Sequence, residues 1–413
     1  MTRDTIVLIG AGLASIHAAE TLRAEGFDGK VLLFSEEDHP PYDRPPLSKG
    51  IITGAVSVSD CSLRLPSWYS DNRVDLVLGA RVDALDAANR TIRLASGEVI
   101  HFDLALLATG ARIRWPGRLC VRSERVCALR TLDDALAIRS QLVPGATVAV
   151  VGGGFIGAEL ASSARALGCE VIMFEAAPAP FQRTLGHTVG AMFAEFYATC
   201  GVAVMTDVPI AELCTAAGGV RITATDGRAW DVDVAVIGVG VDPNVELAAA
   251  AGLRVADGVE VDERCTTSAP HVYAAGDVAR RPDPIFGGRT RVEHWQNAQH
   301  QGIAAARAMM GSGDVMVEVP WFWSDQFGSN VQVAGSPQRA DRVLTRGSLS
   351  SDAFTAYYLH GTALVATLGV NAVKEVHLGR RLIGERATLD IGVLSDGAAQ
   401  LGDAVTAPRV PMK

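Results

Sequence analysis

Residues 5–15 of the chain read Thr-Ile-Val-Leu-Ile-Gly-Ala-Gly-Leu-Ala-Ser. The first five are apolar or β-branched, as expected for a strand that is buried on both faces of a parallel sheet. Gly10 and Gly12 then allow a tight turn, and a helical pattern follows from Leu13 to about Glu25. A second strand, Val31–Phe34, completes a predicted βαβ unit with a glycine turn after its first strand.

The same order of elements returns later in the chain. Thr147–Val151 is a predicted strand, Gly152-Gly153-Gly154 is the turn, Phe155–Leu167 is the helix and Glu170–Phe174 is the second strand. After each copy comes a tail of short strands with a Ser-Gly or Asp-Gly turn, which is a hairpin signal. The predicted tail strands are Thr91–Leu94 and Phe102–Gly110 after the first copy, and Val220–Ala224 and Val232–Gly240 after the second.

Residues 320–413 differ in character from the two copies. They open on Trp321-Phe322-Trp323, and we expect a hairpin of Phe354–Leu359 with Leu364–Val370, followed by a helix over Asn371–Arg381. A separate small domain of this size is reasonable. The predicted fold class is therefore α/β: two Rossmann-like dinucleotide-binding domains with β-meander insertions, plus a C-terminal α+β domain.

The composition is that of a folded chain of more than one domain, with 413 residues, 48% hydrophobic and 20% charged. A net charge of −9 argues against general nucleic-acid binding. No basic leader and no apolar run of about 20 residues occurs, so we expect a cytoplasmic protein without a membrane span. Neither a disulfide framework nor a metal site is expected, since no CxxC or Cys/His cluster occurs. The cysteines are Cys61, Cys120, Cys127, Cys169, Cys200, Cys214 and Cys265.

Each glycine turn is a candidate phosphate site. Glycines permit close approach of the backbone to a pyrophosphate, and the helix that follows offers free N–H groups and a positive dipole end. The second copy is complete with Gly152, Gly154 and Gly157, whereas the first has Ser15 in the third position. Serine is small enough for close packing of helix on strand, so two ordinary strand-to-helix turns are the less favoured interpretation.

A carboxylate stands at the end of the second strand in both copies, Glu36 in the first and Glu175 in the second. Such a carboxylate accepts hydrogen bonds from ribose hydroxyls and repels a 2′-phosphate. Ala176-Ala177 follow Glu175 without an adjacent base, which favours NADH over NADPH. Arg183 is near enough in the sequence to weaken that preference.

Several longer motifs stand out along the chain: Pro41-Tyr42-Asp43-Arg44-Pro45-Pro46-Leu47-Ser48-Lys49, Ala108-Thr109-Gly110, Gly152 to Glu159, Ala275-Gly276-Asp277 and Pro320 to Gln326. Together they resemble those of the NADH-dependent ferredoxin reductases of bacterial oxygenase systems, which include putidaredoxin reductase and the biphenyl dioxygenase reductase and share the glutathione reductase fold. The resemblance implies an FAD-binding domain of residues 1–113 and 243–319, an NAD-binding domain of 114–242 and a C-terminal domain of 320–413.

The resemblance also implies site residues. Lys49 would lie beside the flavin and pair with Glu159, although a solvated lysine and a glutamate favoured by the helix dipole are the ordinary alternatives. Trp321 and Trp323 could equally form the core of the small domain, while the resemblance places one near the nicotinamide and flavin. The implied FAD contacts are Ala14, Glu36, Arg44, Lys49, Val82, Arg130, Asp277 and Trp295, beside Gly10, Gly12 and Ser15. The implied nicotinamide dinucleotide site comprises Gly152, Gly154, Ile156, Gly157, Glu159, Glu175, Arg183, Gly238 and Trp323.

The segment Pro41–Lys49 has no cysteine, whereas glutathione reductase and its relatives carry a CxxxxC pair there, and Cys61 stands alone. A dithiol relay of that kind is therefore excluded. Flavin accepts a hydride and releases its electrons singly. The resemblance implies that the acceptor of these electrons is a small [2Fe–2S] ferredoxin, often acidic in this family. Such a partner would dock on a local basic surface, with Arg64, Arg73, Arg307 and the run from Arg339 to Arg346 as candidates.

Other functions on the same fold stay open at this point. A rubredoxin reductase is the nearest rival, while an NADH oxidase or peroxidase commonly needs a redox cysteine near the first helix, which is missing. An NADH-binding redox-sensing flavoprotein and a homologue that has lost FAD are further alternatives. The sequence shows no interface signature, so it favours neither a monomer nor a dimer.

Overall fold

The computed structural model describes residues 5–116, 123–216, 218–313, 315, 317–351, 353–396 and 399–407. The chain divides into two compact units. The first unit comprises the chain up to Asp43, Val58–Arg112 and Val241–Glu318, and the second comprises Arg44–Ser57, Ile113–Gly240 and the chain from Val319 onward. The residues predicted for the NAD-binding and C-terminal domains thus share the second unit, and the three-domain division stays a prediction.

The first unit is built around a five-stranded parallel sheet with Thr5–Ile9 at its centre. This strand is almost fully buried because helices cover one sheet face and antiparallel strands cover the other, which explains its unbroken apolar sequence. In sheet order the strands are Val272–Ala274, Leu104–Leu107, Thr5–Ile9, Lys30–Phe34 and Val74–Val77. An antiparallel sheet is formed by Val82–Asp86, Thr91–Leu94 and Val99–His101, and a mixed sheet by Val255–Ala256, Gly258–Glu260, Ala279–Pro282 and Arg289–Arg291. The α-helices are Leu13–Ala24, Pro66–Asp71, Glu246–Ala250 and Trp295–Met309, with 3-10 turns at Ser59–Cys61 and Gly276–Val278.

The second unit repeats this plan. Its parallel sheet has Thr147–Val151 at the centre, between Glu170–Phe174 and Val234–Ile237. The outer strands are Val202–Met205 and Val126–Ala128, and the meander is Ile210–Ala216, Gly219–Ala224 and Ala229–Val232. The helices of this part are Gly50–Thr53, Leu132–Arg139, Phe155–Ala166 and Gln182–Thr199, and a 3-10 turn covers Pro45–Ser48. Two short strands, Ala111–Ile113 and Val241–Pro243, flank the positions where the chain passes from one unit to the other.

The remainder of the second unit is an antiparallel sheet with a helix, Val373–Gly384, packed on it. A Cβ on Gly379 would lie 2.2 Å from Thr367 Oγ1, which shows how closely that helix approaches the sheet. In sheet order the strands are Trp321–Gln326, Ser329–Gly335, Ala363–Val370, Phe354–His360 and Arg342–Gly347, with Thr388–Leu389 and Val405–Ala407 beside them. Short helical segments are Pro337–Arg339, Ile391–Ser395 and Leu401–Ala404.

The predicted fold class is confirmed, and three of the boundaries that differ have a local reason. Each long predicted tail strand begins only after an aspartate: Leu104–Leu107 follows Asp103, which accepts from Thr5 N at 2.9 Å, and Val234–Ile237 follows Asp233, which accepts from Thr147 N at 2.8 Å. The two copies thus share the same turn before their last strand. The predicted helix from Asn371 begins instead at Val373, because Asn371 has a left-handed φ of 54° that a helix cannot contain. In the parts of the chain that the structure describes, no helix has the length and apolar character needed to span a membrane.

Candidate active site

The first glycine turn has the shape of a phosphate cradle. Gly10 has a φ of 96°, and a Cβ there would lie 2.4 Å from Ala108 O, so this position needs glycine. Gly12 precedes the helix Leu13–Ala24 in an extended conformation, and no side chain that the structure describes caps that helix. A Cβ on Gly12 would meet no atom of the described chain within 4 Å. This helix start thus lacks a side-chain cap and has open space beside Gly12, which fits a pyrophosphate.

The second glycine turn repeats these features with a stricter third position. A Cβ on Gly152 would lie 2.4 Å from Gly238 O, and one on Gly154 would meet nothing in the described chain within 4 Å. A Cβ on Gly157 would lie 2.2 Å from Gly152 O. In the first copy Ser15 occupies that third position, and its hydroxyl donates to Gly10 O at 2.5 Å. The serine thus replaces a close backbone approach with a hydrogen bond.

The two carboxylates after the second strands differ in their surroundings. Glu175 accepts from Gly153 N and from Ala177 N, both at 2.8 Å, and so it is fixed at the glycine turn. Glu36 is exposed at the matching place in the first unit. Ile156 is half-exposed beside the second turn, and Arg183 is exposed at the start of the helix Gln182–Thr199. A negative charge fixed beside Gly153 disfavours a 2′-phosphate there.

Other FAD residues implied for the first unit gather at one end of two helices. A Cβ on Gly302 would lie 2.1 Å from Ala14 O, so the helix Trp295–Met309 crosses the start of Leu13–Ala24 at close range. Gly276 lies between these helices, since a Cβ on it would be 3.4 Å from Ala14 Cβ and 3.7 Å from Ala298 Cβ. Asp277, the next residue, is half-buried in the same turn.

Trp295 and its neighbour complete this end of the first unit. The Trp295 indole Nε1 donates to Asp43 Oδ1 at 2.7 Å, which fixes the ring. Burial lowers the pKa of His294 to about 4, against the opposing effect of the negative Asp277. Val82 is half-buried beside the apolar cluster that contains Phe34.

In the second unit the structure brings the implied residues together in two pairs. Arg44 donates to Arg130 O at 2.5 Å, and Arg130 N in turn donates to Asp134 at 3.1 Å. Lys49 Nζ lies 3.0 Å from Glu159 Oε1, with the Lys49 side chain 21% exposed and that of Glu159 5% exposed. A solvated lysine is therefore not what the structure shows.

Sequence reasoning missed two residues that contact Glu159. The hydroxyls of Ser48 and Ser324 both donate to its carboxylate. The available signal was a polar residue at an inward-facing strand position. In the strand Trp321–Gln326, Asp325 is exposed, whereas the preceding Ser324 faces inward and is 1% exposed. Its partner could not be read from the sequence, because the two residues are 165 positions apart.

The tryptophans of the C-terminal sheet lie on one face of the strand Trp321–Gln326. The Trp321 and Trp323 rings stack with centroids 5.5 Å apart, and the Arg380 guanidinium lies 5.8 Å from the Trp321 centroid. Both tryptophans are half-buried. Phe322 points to the other face and packs edge-on against Phe155 at 4.7 Å.

The cysteines that the structure describes form no disulfide, and Cys120 lies outside the described residues. Within the described residues, no group of three or more His, Cys, Asp or Glu side chains could hold a metal ion.

Comparison with known proteins agrees with this geometry. The family model described as pyridine nucleotide-disulphide oxidoreductase matches residues 4–302, and the one described as reductase C-terminal matches residues 321–405. The anthranilate 1,2-dioxygenase system ferredoxin–NAD(+) reductase component of Burkholderia cepacia is 39% identical over 96% of this chain and 98% of its own length. The corresponding component of the biphenyl dioxygenase system of Paraburkholderia xenovorans is 37% identical over 98% of this chain and 99% of its own.

Among solved structures, the covalent putidaredoxin reductase–putidaredoxin complex matches with a TM-score of 0.93 and 30% identity, over 98% of this chain and 98% of that one. Full-length similarity at this level, together with both family models, confirms the resemblance that the motifs indicated. The chain belongs to the pyridine nucleotide-disulphide oxidoreductases and, within them, to the ferredoxin–NAD(+) reductases.

Proposed function

We propose that this chain is an FAD-dependent NADH:ferredoxin reductase that supplies electrons to a monooxygenase or a ring-hydroxylating dioxygenase. The balanced reaction converts one NADH and two oxidised [2Fe–2S] ferredoxins into NAD⁺, one proton and two reduced ferredoxins. One observation carries the proposal: two glycine turns, each opening on an uncapped helix start, with open space where a Cβ of Gly12 or Gly154 would lie. A chain with two such cradles has room for two dinucleotides.

We assign FAD to the first turn and NADH to the second. Gly10, Gly12, Ala14 and Ser15 would hold the FAD pyrophosphate, and Glu36 would accept from a ribose hydroxyl. The further FAD contacts that we propose are Arg44, Lys49, Val82, Arg130, Asp277 and Trp295. Gly152, Gly154, Ile156 and Gly157 would bind NADH, with Gly238 supporting the turn, and Arg183 and Trp323 are proposed nearby. The fixed carboxylate of Glu175 supports NADH over NADPH.

When bound, FAD supplies a centre that takes up a hydride and gives up electrons one at a time. The protein would supply the charged side chains around this centre. Lys49 carries a positive charge that Glu159 holds at 3.0 Å, and both are enclosed enough for that charge to act in a low dielectric. We propose these two as the catalytic residues beside the flavin. The segment Pro41–Lys49 offers no thiol, so no disulfide intervenes between donor and acceptor.

Docking of an acidic ferredoxin needs exposed basic side chains that are not held in ion pairs or hydrogen bonds within the protein. Arg307 pairs with Glu25 at 3.0 Å, and Arg64 is bound to Glu20. Arg346 donates to the carbonyl of Leu394. The exposed Arg73 and Arg342 are the better docking candidates of those that the sequence suggested. We also propose the cytoplasmic location that was expected from the sequence.

The proposal is tested by anaerobic titration of the purified protein with NADH, and with NADPH in parallel, while the flavin absorbance is recorded. We expect bleaching by NADH and little by NADPH, followed by ferredoxin-dependent reduction of cytochrome c. Turnover with rubredoxin but not with any [2Fe–2S] ferredoxin would identify a rubredoxin reductase. A stable reduced complex that passes electrons to no acceptor would indicate a redox sensor. A preparation that binds no flavin refutes the proposal.

A further inference from the structure

The Glu159 carboxylate is held by more than its lysine. In the second unit Glu159 is 4% exposed, and it accepts from three donors: Lys49 Nζ at 3.0 Å, Ser324 Oγ at 2.7 Å, and Ser48 Oγ on the other carboxylate oxygen. An ionised carboxylate at such a depth is costly unless several donors surround it. The two hydroxyls therefore share with Lys49 the task of holding the Glu159 carboxylate in place.

Ser48 is fixed by the helix that carries Glu159. Ser163, one turn beyond Glu159 on the helix Phe155–Ala166, donates from its hydroxyl to Ser48 O at 2.7 Å. The helix thus holds the backbone of Ser48 with one residue and its side chain with another. Since Ser48 is 2% exposed and directly precedes Lys49, this attachment also sets where the Lys49 side chain begins.

Ser324 is oriented from the opposite direction. Gln326 Nε2 donates to Ser324 Oγ at 3.3 Å, and the Tyr197 hydroxyl donates to Gln326 Oε1. Burial raises the pKa of Tyr197 well above its ordinary value, so the phenol keeps the proton it donates. Because Ser324 accepts from Gln326, its single hydroxyl proton is directed to Glu159. A chain of donors therefore runs from Tyr197 to the carboxylate.

We propose that Ser48 and Ser324 are positioning residues for the reductase: they lock the Glu159 carboxylate in one orientation, so that it holds the Lys49 ammonium in place. Lys49 has a long side chain, and Glu159 is its one charged partner among the ion pairs of the described chain. With the serines removed, the carboxylate is free to rotate and the ammonium to move. The inference rests on the proposed function, because it assigns the Lys49–Glu159 pair a place beside the flavin.

The variants Ser324→Ala and Ser48→Ala each remove one hydroxyl. We expect stopped-flow reduction of the bound flavin by saturating NADH to slow by about tenfold in each, since one hydrogen bond to a charged group is lost. FAD content and the Kd for NADH should stay as in the wild type. Ser324→Thr keeps a hydroxyl and should restore most of the rate. The matched control is Ser162→Ala on the helix Phe155–Ala166. The Ser162 hydroxyl accepts from Phe327 N at 2.7 Å, and the flavin of this variant should be reduced at the wild-type rate.

Two further measurements separate positioning from general packing. In a Glu159→Gln background, adding Ser324→Ala should slow flavin reduction by NADH little further, because the serine acts through the carboxylate. Acylation of Lys49 by acetic anhydride, followed by mass spectrometry of the holoenzyme, should be several-fold faster in both alanine variants than in the wild type or in Ser162→Ala.

Equal acylation of Lys49 in all of these proteins overturns the proposal, as does an undiminished cost of Ser324→Ala in the Glu159→Gln background. These outcomes differ from failure of the proposed function, which would appear in the wild type itself as a flavin that NADH does not reduce. The acylation measurement does not depend on NADH and so tests the positioning role in either case.

Discussion

Replacing the glycine directly before the helix in each turn, Gly12 in the first and Gly154 in the second, by alanine should disable one cofactor site at a time. The new methyl group at Gly154 meets no described atom within 4 Å, and φ there is −88°, which alanine adopts freely. The protein itself therefore tolerates the change. A pyrophosphate oxygen that accepts from the first amides of the helix would lie about 3 Å from the amide nitrogen. At that distance it would clash with the new methyl group. Loss of one such charge-assisted hydrogen bond costs about 1.5–3 kcal/mol, which corresponds to roughly a 10- to 150-fold weaker Kd.

The assay for Gly154→Ala is anaerobic titration of the flavin-loaded protein with NADH, together with thermal unfolding. We expect a Kd for NADH raised by about one to two orders of magnitude, full FAD content and a nearly unchanged Tm. Gly12→Ala is the matched variant in the first turn: it should lose FAD while leaving the NADH site intact. Wild-type NADH affinity in Gly154→Ala, or loss of FAD in that variant instead of Gly12→Ala, would refute the assignment of the two turns.

Three further results follow from the same geometry. Gly157→Ala, unlike Gly154→Ala, places its Cβ 2.2 Å from Gly152 O, so we expect about 1–3 kcal/mol of destabilisation and a lower Tm in calorimetry. Glu175→Gln removes the negative charge beside the glycine turn, so the Kd for NADPH should fall by about tenfold relative to that for NADH in flavin titrations; an unchanged ratio would remove Glu175 from cofactor discrimination. His294 has its pKa lowered to about 4 in the folded protein against 6.5 in the free residue, so the unfolded chain binds the extra proton as pH falls from 6.5 to 4. Stability should decline by up to about 3 kcal/mol over that interval, and a His294→Gln variant that kept the same slope of Tm against pH would contradict this origin.

Local patterns were sufficient to predict the two nucleotide-binding units. Thr5–Ile9 and Thr147–Val151 were predicted to the residue, because an apolar run that ends at glycine is a strong local signal. Boundaries were predicted wrongly where a single residue decides them: Leu104–Leu107 and Val234–Ile237 begin only after Asp103 and Asp233, and the left-handed backbone of Asn371 delays a helix. Such turns depend on one hydrogen bond or one dihedral angle, which hydrophobic periodicity does not report.

The candidate site was predicted in part, and chiefly through family motifs. The Lys49–Glu159 pair is present in the structure, yet the residues are 110 positions apart and no spacing rule joins them. Ser48 and Ser324 were missed because a serine gives no chemical signal until its partner is known. Long-range polar contacts of this kind are fixed by tertiary packing, since the elements that carry them meet only in the folded chain.

The most direct test of the central claim is the stoichiometry of electron transfer. Under anaerobic conditions, catalytic amounts of the flavin-loaded protein are mixed with a limiting amount of NADH and an excess of oxidised [2Fe–2S] ferredoxin, and the reduced clusters are counted by electron paramagnetic resonance. We expect two reduced ferredoxins for each NADH consumed, and none when the flavin-free protein is used. NADH consumption without cluster reduction, or cluster reduction that does not need FAD, would contradict it.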